Sequence, residues 1–271
     1  MIEIISNVYV FCFGLIIGSF LNALIWRLHT EESMMKRSKC PKCQHELSWF
    51  ENIPVLSYVF LQGRCRHCHE SISIQYPLVE FITGLLFLLA FVNAKIEIAN
   101  ANIFDLFLVF KSWFIISVMI IVFIYDLRWY LILDKVMLPT GIALFVMWFF
   151  ENWSLGYLSS FNNTWLSLLF SMLIGGGFFG LQYVLSRGKW IGFGDVKFGL
   201  IMGLALGVSK VIGAIFLAYI LGAVIGIFLI SLGKKEMGSK LPFGTFLSVA
   251  TIVMLLWGEG VISWYMKILG Y

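Results

Sequence analysis

Charge is what this sequence has least of. Asp, Glu, Lys and Arg make up 13% of its 271 residues, about half of the ~25% carried by soluble chains. With 60% hydrophobic residues and a mean hydropathy of +0.92, that scarcity excludes a water-solvated exterior and makes the bilayer the main solvent. Positive charge is also missing ahead of the first apolar run. Glu3 precedes it and no Lys or Arg occurs before Arg27, the reverse of a cleaved secretory signal. The first run is therefore expected to stay in the membrane with its N-terminus outside. Low-complexity stretches are absent, and so is any clear long-period repeat of the kind that builds the paired halves of a secondary transporter.

Long apolar runs are what the sequence does contain. A spanning helix needs about 20 mostly apolar residues, and windows of that kind fall roughly at 5–26, 77–94, 105–125, 136–152, 164–185, 196–208, 211–231 and 243–266. The sixth is short and weakly separated from the seventh. The expected fold is an all-α polytopic membrane protein of about eight transmembrane helices. Its expected organisation is a first transmembrane helix over 1–27, a small cytoplasmic insertion over 28–76 and a membrane core over 77–271. With the N-terminus outside, 15 of the 19 Lys and Arg residues fall on the cytoplasmic side, and only Lys95, Lys111, Lys210 and Lys267 lie opposite, as the positive-inside rule requires. Basic loops against an anionic leaflet account for the net charge of +4, so no nucleic-acid partner is needed. Gly14 with Gly18, Gly199 with Gly203 and Gly207, and Gly222 with Gly226 recur at helical spacing and read as packing surfaces.

Four of the five cysteines lie in the insertion, as Cys40-Pro41-Lys42-Cys43 and Cys65-Arg66-His67-Cys68. Two CxxC knuckles bring four thiolates to one tetrahedral site, so a structural Zn2+ is expected on Cys40, Cys43, Cys65 and Cys68 in a zinc-ribbon-like insertion. A reducing cytosol argues against disulfides. His45, His67 and His69 stand beside the knuckles as substitutes or spectators, and Cys12 reads as a small apolar residue of the first span.

Carboxylates beside hydrocarbon are costly unless they meet water or a partner. Two stand at the ends of apolar runs: Asp126 in Tyr125-Asp126-Leu127-Arg128, and Asp195 closing Gly192-Phe193-Gly194-Asp195. Both are placed at the cytoplasmic border on different helices. Two carboxyls sharing a proton, one taking a proton from water and the other polarising a carbonyl, are what aspartic peptide hydrolysis requires.

These aspartates together with the insertion resemble the type IV prepilin peptidase family, membrane aspartic peptidases of the Gly-x-Gly-Asp type. The matching segments run through nearly the whole chain in order: Gly18 to Asn22, the CxxC pairs, Glu51 to Pro54 with Ser57-Tyr58, Tyr76 to Glu80, Asp126 to Asp134, Gly192 to Lys197, and Pro242-Phe243-Gly244. The resemblance implies that Asp126 and Asp195 are catalytic. It also implies removal of a basic leader from type IV prepilins and pseudopilin precursors of pilus or secretion systems, at the cytoplasmic face of the bacterial inner membrane. Many members then methylate the new N-terminus with S-adenosylmethionine. Glu80 and Asn22, near the cytoplasmic ends of their spans, read either as site lining or as packing contacts. Asp134 reads as a loop carboxylate or the N-cap of the fourth span. The alternative is a presenilin or signal-peptide-peptidase-like intramembrane peptidase, which the CxxC insertion and Leu241-Pro242-Phe243, where that family carries Pro-Ala-Leu, both oppose.

Overall fold

The computed structural model describes residues 2–33, 36–96, 102–156, 161–236 and 238–270. The described chain is helical: α1 (Ile2–Thr30), α2 (Leu56–Phe60), α3 (Gln75–Asn93), α4 (Ile103–Trp129), α5 (Asp134–Ser154), α6 (Phe161–Met172), α7 (Phe178–Ser186), α8 (Phe193–Ser231) and α9 (Phe243–Ile268). A π-helical turn, Leu173–Gly177, joins α6 to α7. Among the described residues seven helices are long and apolar enough to cross a membrane, and side chains such as Ile142, Phe216 and Ile227 face outward as a lipid-solvated surface demands. The chain divides into two compact units within α4, Met1–Ile121 and Val122–Tyr271.

In the first unit α1 and α3 pack as an antiparallel ladder. A Cβ on Gly14 would lie 2.7 Å from Gly84 Cα, and one on Gly18 would lie 2.6 Å from Glu80 Cα, so backbones touch where small residues permit it. One turn further on, Asn22 Nδ2 donates to the Tyr76 carbonyl at 3.0 Å. Trp113 of α4 stacks on Phe87 and donates its Nε1–H to the Phe87 carbonyl at 3.0 Å.

In the second unit α8 accounts for the difference between about eight expected spans and seven long helices. Gly207, at φ 74° and ψ 176°, breaks it, a conformation that only glycine adopts without strain. On a straight helix residues 199 and 211 would stand about 18 Å apart, yet Gly175 packs against both the Gly199 carbonyl and the Val211 side chain. The chain therefore reverses at Gly207, and the sixth and seventh apolar runs become the arms of a hairpin. The returning arm lies antiparallel to α9, pairing Gly213 with Met254, Gly222 with Phe246 and Gly226 with Leu241.

The outgoing arm packs on the α6–α7 span so closely that a Cβ on Gly199 would run into the Gly175 carbonyl and the Phe179 ring, and one on Gly203 into the Ser171 carbonyl. Replacing Gly199 by Val should destabilise the protein by roughly 3 kcal/mol or abolish folding, since backbone cannot move aside as a side chain can. Gly180→Ala, whose Cβ would meet Val196 at an ordinary 3.7 Å, should leave the melting temperature of the detergent-purified protein unchanged.

Candidate active site

Asp126 sits in the last turn of α4 and is 5% exposed. Its Oδ2 accepts the Thr245 N–H at 3.0 Å, and the Gly244 N–H bonds the same carboxylate. These amides open α9, whose first N–H groups have no intrahelical acceptor, so Asp126 caps a helix from another span with the charge that the helix N-terminus favours. Gly244 makes this possible, since a Cβ there would stand 2.9 Å from Asp126 Oδ2. Asp195 occupies the first turn of α8. Its Oδ2 accepts the Gly192 N–H at 3.1 Å while its own N–H donates to the Gly192 carbonyl at 3.1 Å, which closes the Gly-Phe-Gly-Asp segment on itself.

The two carboxylates lie within electrostatic reach of each other. Ile132, in the loop between α4 and α5, fits between their supports: a Cβ on Gly194 would be 3.1 Å from Ile132 Cβ, and one on Gly244 would be 3.1 Å from Ile132 Cδ1. Glycine at both positions thus lets one aliphatic side chain set the approach of the two acid-bearing segments. Tyr219, on the returning arm of α8, is also within electrostatic reach of Asp195, and its hydroxyl donates to Gln182 Oε1 at 2.9 Å. Nothing in the sequence singles out Ile132, Thr245, Gln182 or Tyr219, although Gln182 and Tyr219 are polar groups within apolar runs.

Asp134 begins α5 instead of capping it, the N-cap being Leu133. Its carboxylate pairs with Lys197 Nζ at 2.6 Å, so the lysine two residues beyond Asp195 points to a different acid.

The insertion in the first unit holds two copies of one knuckle. Cys40 N–H donates to the His45 carbonyl and Gln44 N–H to the Cys40 carbonyl; Cys65 N–H and His69 N–H repeat the pattern with Glu70 and Cys65. Gln44 (φ 58°) and His69 (φ 57°) take the same left-handed turn, and the bridges Lys39 to Glu46 and Arg64 to Ser71 close both. The four sulfurs lie within 4.8 Å of one another, with Cys40 to Cys68 at 3.9 Å and Cys43 to Cys65 at 4.0 Å. Backbone N–H groups of Cys68 and His67 lower the Cys65 thiol to about 7, whereas burial and the neighbouring sulfurs push the Cys68 thiol up to about 12, so the first negative charge of the cluster falls on Cys65. Four converging sulfurs of this kind can hold a metal ion. His45 and His67 stack on each other with centroids 4.9 Å apart.

Glu80 and Asn22 are both buried in the first unit. Glu80 Oε2 accepts the Val55 N–H at 2.7 Å, which ties the insertion to α3.

Residues 12–94 match the Bacterial Peptidase A24 N-terminal domain, and residues 113–227 match the Type IV leader peptidase family. The chain is 31% identical to a prepilin leader peptidase/N-methyltransferase of Bacillus subtilis (strain 168), over 95% of this chain and 96% of that one. It is 29% identical to the protein of that name from Aeromonas salmonicida (strain A449), over 95% and 93% of the two chains. Over 81 residues, 30% of this chain and 24% of the other, it is 53% identical to that of Myxococcus xanthus (strain DK1622). No solved structure gives a significant match.

Proposed function

Because the chain belongs to the type IV leader peptidase family, we propose that Asp126 and Asp195 are the catalytic pair with which it removes the leader of type IV prepilins and pseudopilins. The observation that carries this reading is the placement of two carboxylates at the ends of α4 and α8 on segments that close on one Ile132 side chain, Asp126 held by the Thr245 N–H and Asp195 by the Gly192 N–H. A water held between them loses a proton to the ionised carboxylate as its oxygen attacks the scissile carbonyl carbon. The neutral carboxyl protonates the carbonyl oxygen. Collapse of the tetrahedral intermediate then breaks the C–N bond, and the leaving nitrogen takes a proton back from the pair. A basic leader is held in the cytosol by the bias that orients the enzyme with its N-terminus outside, while the apolar segment of the substrate rests in lipid beside the spans. Incubating purified protein with a leader-bearing precursor and weighing the products tests this. An uncut precursor refutes it.

The amine released by cleavage is the substrate of the second activity in the relatives' name, N-methylation, with S-adenosylmethionine as donor. That transfer needs an unprotonated nitrogen in line with a sulfonium methyl and depends on positioning, so neither aspartate is chemically required. Asp126→Asn should stop cutting of the full precursor and still permit labelled methyl transfer to a precleaved pilin; loss of that transfer would mean one shared site.

Zinc is the metal assigned to Cys40, Cys43, Cys65 and Cys68. Zn–S bonds of about 2.3 Å make a tetrahedron with edges of about 3.8 Å, close to the 3.9 and 4.0 Å observed. Four thiolates leave no open position, so the ion would hold the two knuckles together and take no part in hydrolysis.

A further inference from the structure

At the end of the α1–α3 ladder next to the insertion, two buried oxygen acceptors stand one rung apart. Gly18 faces Glu80 and Asn22 bonds Tyr76, rungs one helical turn or about 6 Å apart. Asn22 is 4% exposed and Glu80 is 8% exposed. The amide of Asn22 is used on one side only. Its Nδ2 donates to Tyr76, but Oδ1 is buried with no partner, alone in this among the side-chain atoms of the described residues. A buried acceptor left unpaired is costly and calls for an explanation. One rung away the Glu80 carboxylate bonds the Val55 N–H and the Ser19 side chain, and no ion pair among the described residues engages it. Val55 itself lies at φ 61° and ψ −49°, a strained conformation for a β-branched residue, of the kind that accumulates at ligand sites.

An unpartnered carbonyl oxygen and an uncompensated carboxylate together call for a ligand that brings N–H donors and positive charge. We propose that Asn22 Oδ1 and Glu80 form a subsite for a primary ammonium group. The assignment rests on the methyltransferase reading above, which supplies two such groups: the new N-terminus of the cleaved pilin and the amino-acid end of S-adenosylmethionine. Either would donate to Asn22 Oδ1 and pair with Glu80, and Val55, bonded to the same carboxylate, would couple occupancy of the subsite to the insertion.

Two ligand pairs, measured for affinity on the full-length protein in detergent, test the subsite without needing turnover. One is precleaved pilin against the same chain N-acetylated; the other is S-adenosylmethionine against methylthioadenosine, which lacks the amino-acid portion. The native protein should bind the amine-bearing member of one pair at least about tenfold more tightly, and the pair that discriminates names the source. In Glu80→Gln, and in Asn22→Leu, that preference should fall to within about twofold, with helical circular dichroism confirming the fold. No preference in the native protein, or one that persists in both variants, overturns the subsite. Loss of fold in both makes the residues structural and overturns it equally. Absence of methyl transfer by native protein that still shows the preference would refute the transferase reading alone.

Discussion

Replacing either Asp126 or Asp195 by Asn should lower the rate of leader removal by roughly 10⁴-fold or more, while the protein still inserts and purifies as a folded monodisperse species. The magnitude follows from the interdependence of the two groups: residues that act as a unit lose nearly everything when one is removed, and the double variant loses little further. Asparagine keeps the shape of the side chain, and its carbonyl oxygen can still accept the Thr245 N–H at Asp126 or the Gly192 N–H at Asp195. What it cannot do is exchange a proton with water. The measurement is single-turnover cleavage of a leader-bearing precursor, with the melting temperature of each variant beside it. Substantial cleavage by either single variant would remove that aspartate from the chemistry. If loss of activity tracked loss of fold, the carboxylates would be helix caps and nothing more.

The aspartates stand out in the sequence because a carboxylate ending an apolar run is expensive and therefore noticeable. The eight apolar runs stand out for the same reason, and the weak gap between the sixth and seventh is where the chain turns at Gly207. What holds the aspartates in place is less legible. Asp126 reaches the amide of Thr245, a residue far along the chain, and a backbone N–H carries no sequence signal. Pro242-Phe243-Gly244 marks the neighbourhood, but only the fold shows that the glycine is there to admit a carboxylate oxygen. Ile132 is one aliphatic residue among many until Gly194 and Gly244 are seen to close on it. Lys197 is half legible: two residues beyond Asp195 on a helix it must point elsewhere, and only the fold shows that its partner is Asp134. The knuckles were readable as ligand sets, whereas their duplication is one of hydrogen bonds and backbone angles, with Cys40 matching Cys65 and Gln44 matching His69 while most side chains between them differ.

Removing the metal from the insertion should release residues 36–74 from their fold and leave the spans intact. Between those positions the only buried residues are Cys40, Glu51, Gly63 and Cys65. No buried Leu, Ile, Val or Phe is present to form a core, so the cohesion of two short knuckles falls to the four sulfurs. Apparent zinc-binding energies of about 10–16 kcal/mol in small zinc domains are folding energies for the same reason. Native protein should therefore carry about one zinc per chain by elemental analysis, and Cys40→Ser combined with Cys65→Ser, which leaves two ligands, should carry none. Strong chelation or that double variant should make 36–74 the preferred site of limited proteolysis. Far-UV circular dichroism should fall only slightly, because the long helices lie outside the insertion. Binding should weaken steadily as pH falls, because every thiol must give up its proton to meet the metal. Methyl transfer should suffer more than cleavage, since the insertion and its adjoining loops are the soluble part of the chain large enough to form most of a cofactor pocket. Metal-free native protein that resists proteolysis in 36–74 would mean that hydrogen bonds alone hold the knuckles, and the sulfurs would then need another explanation.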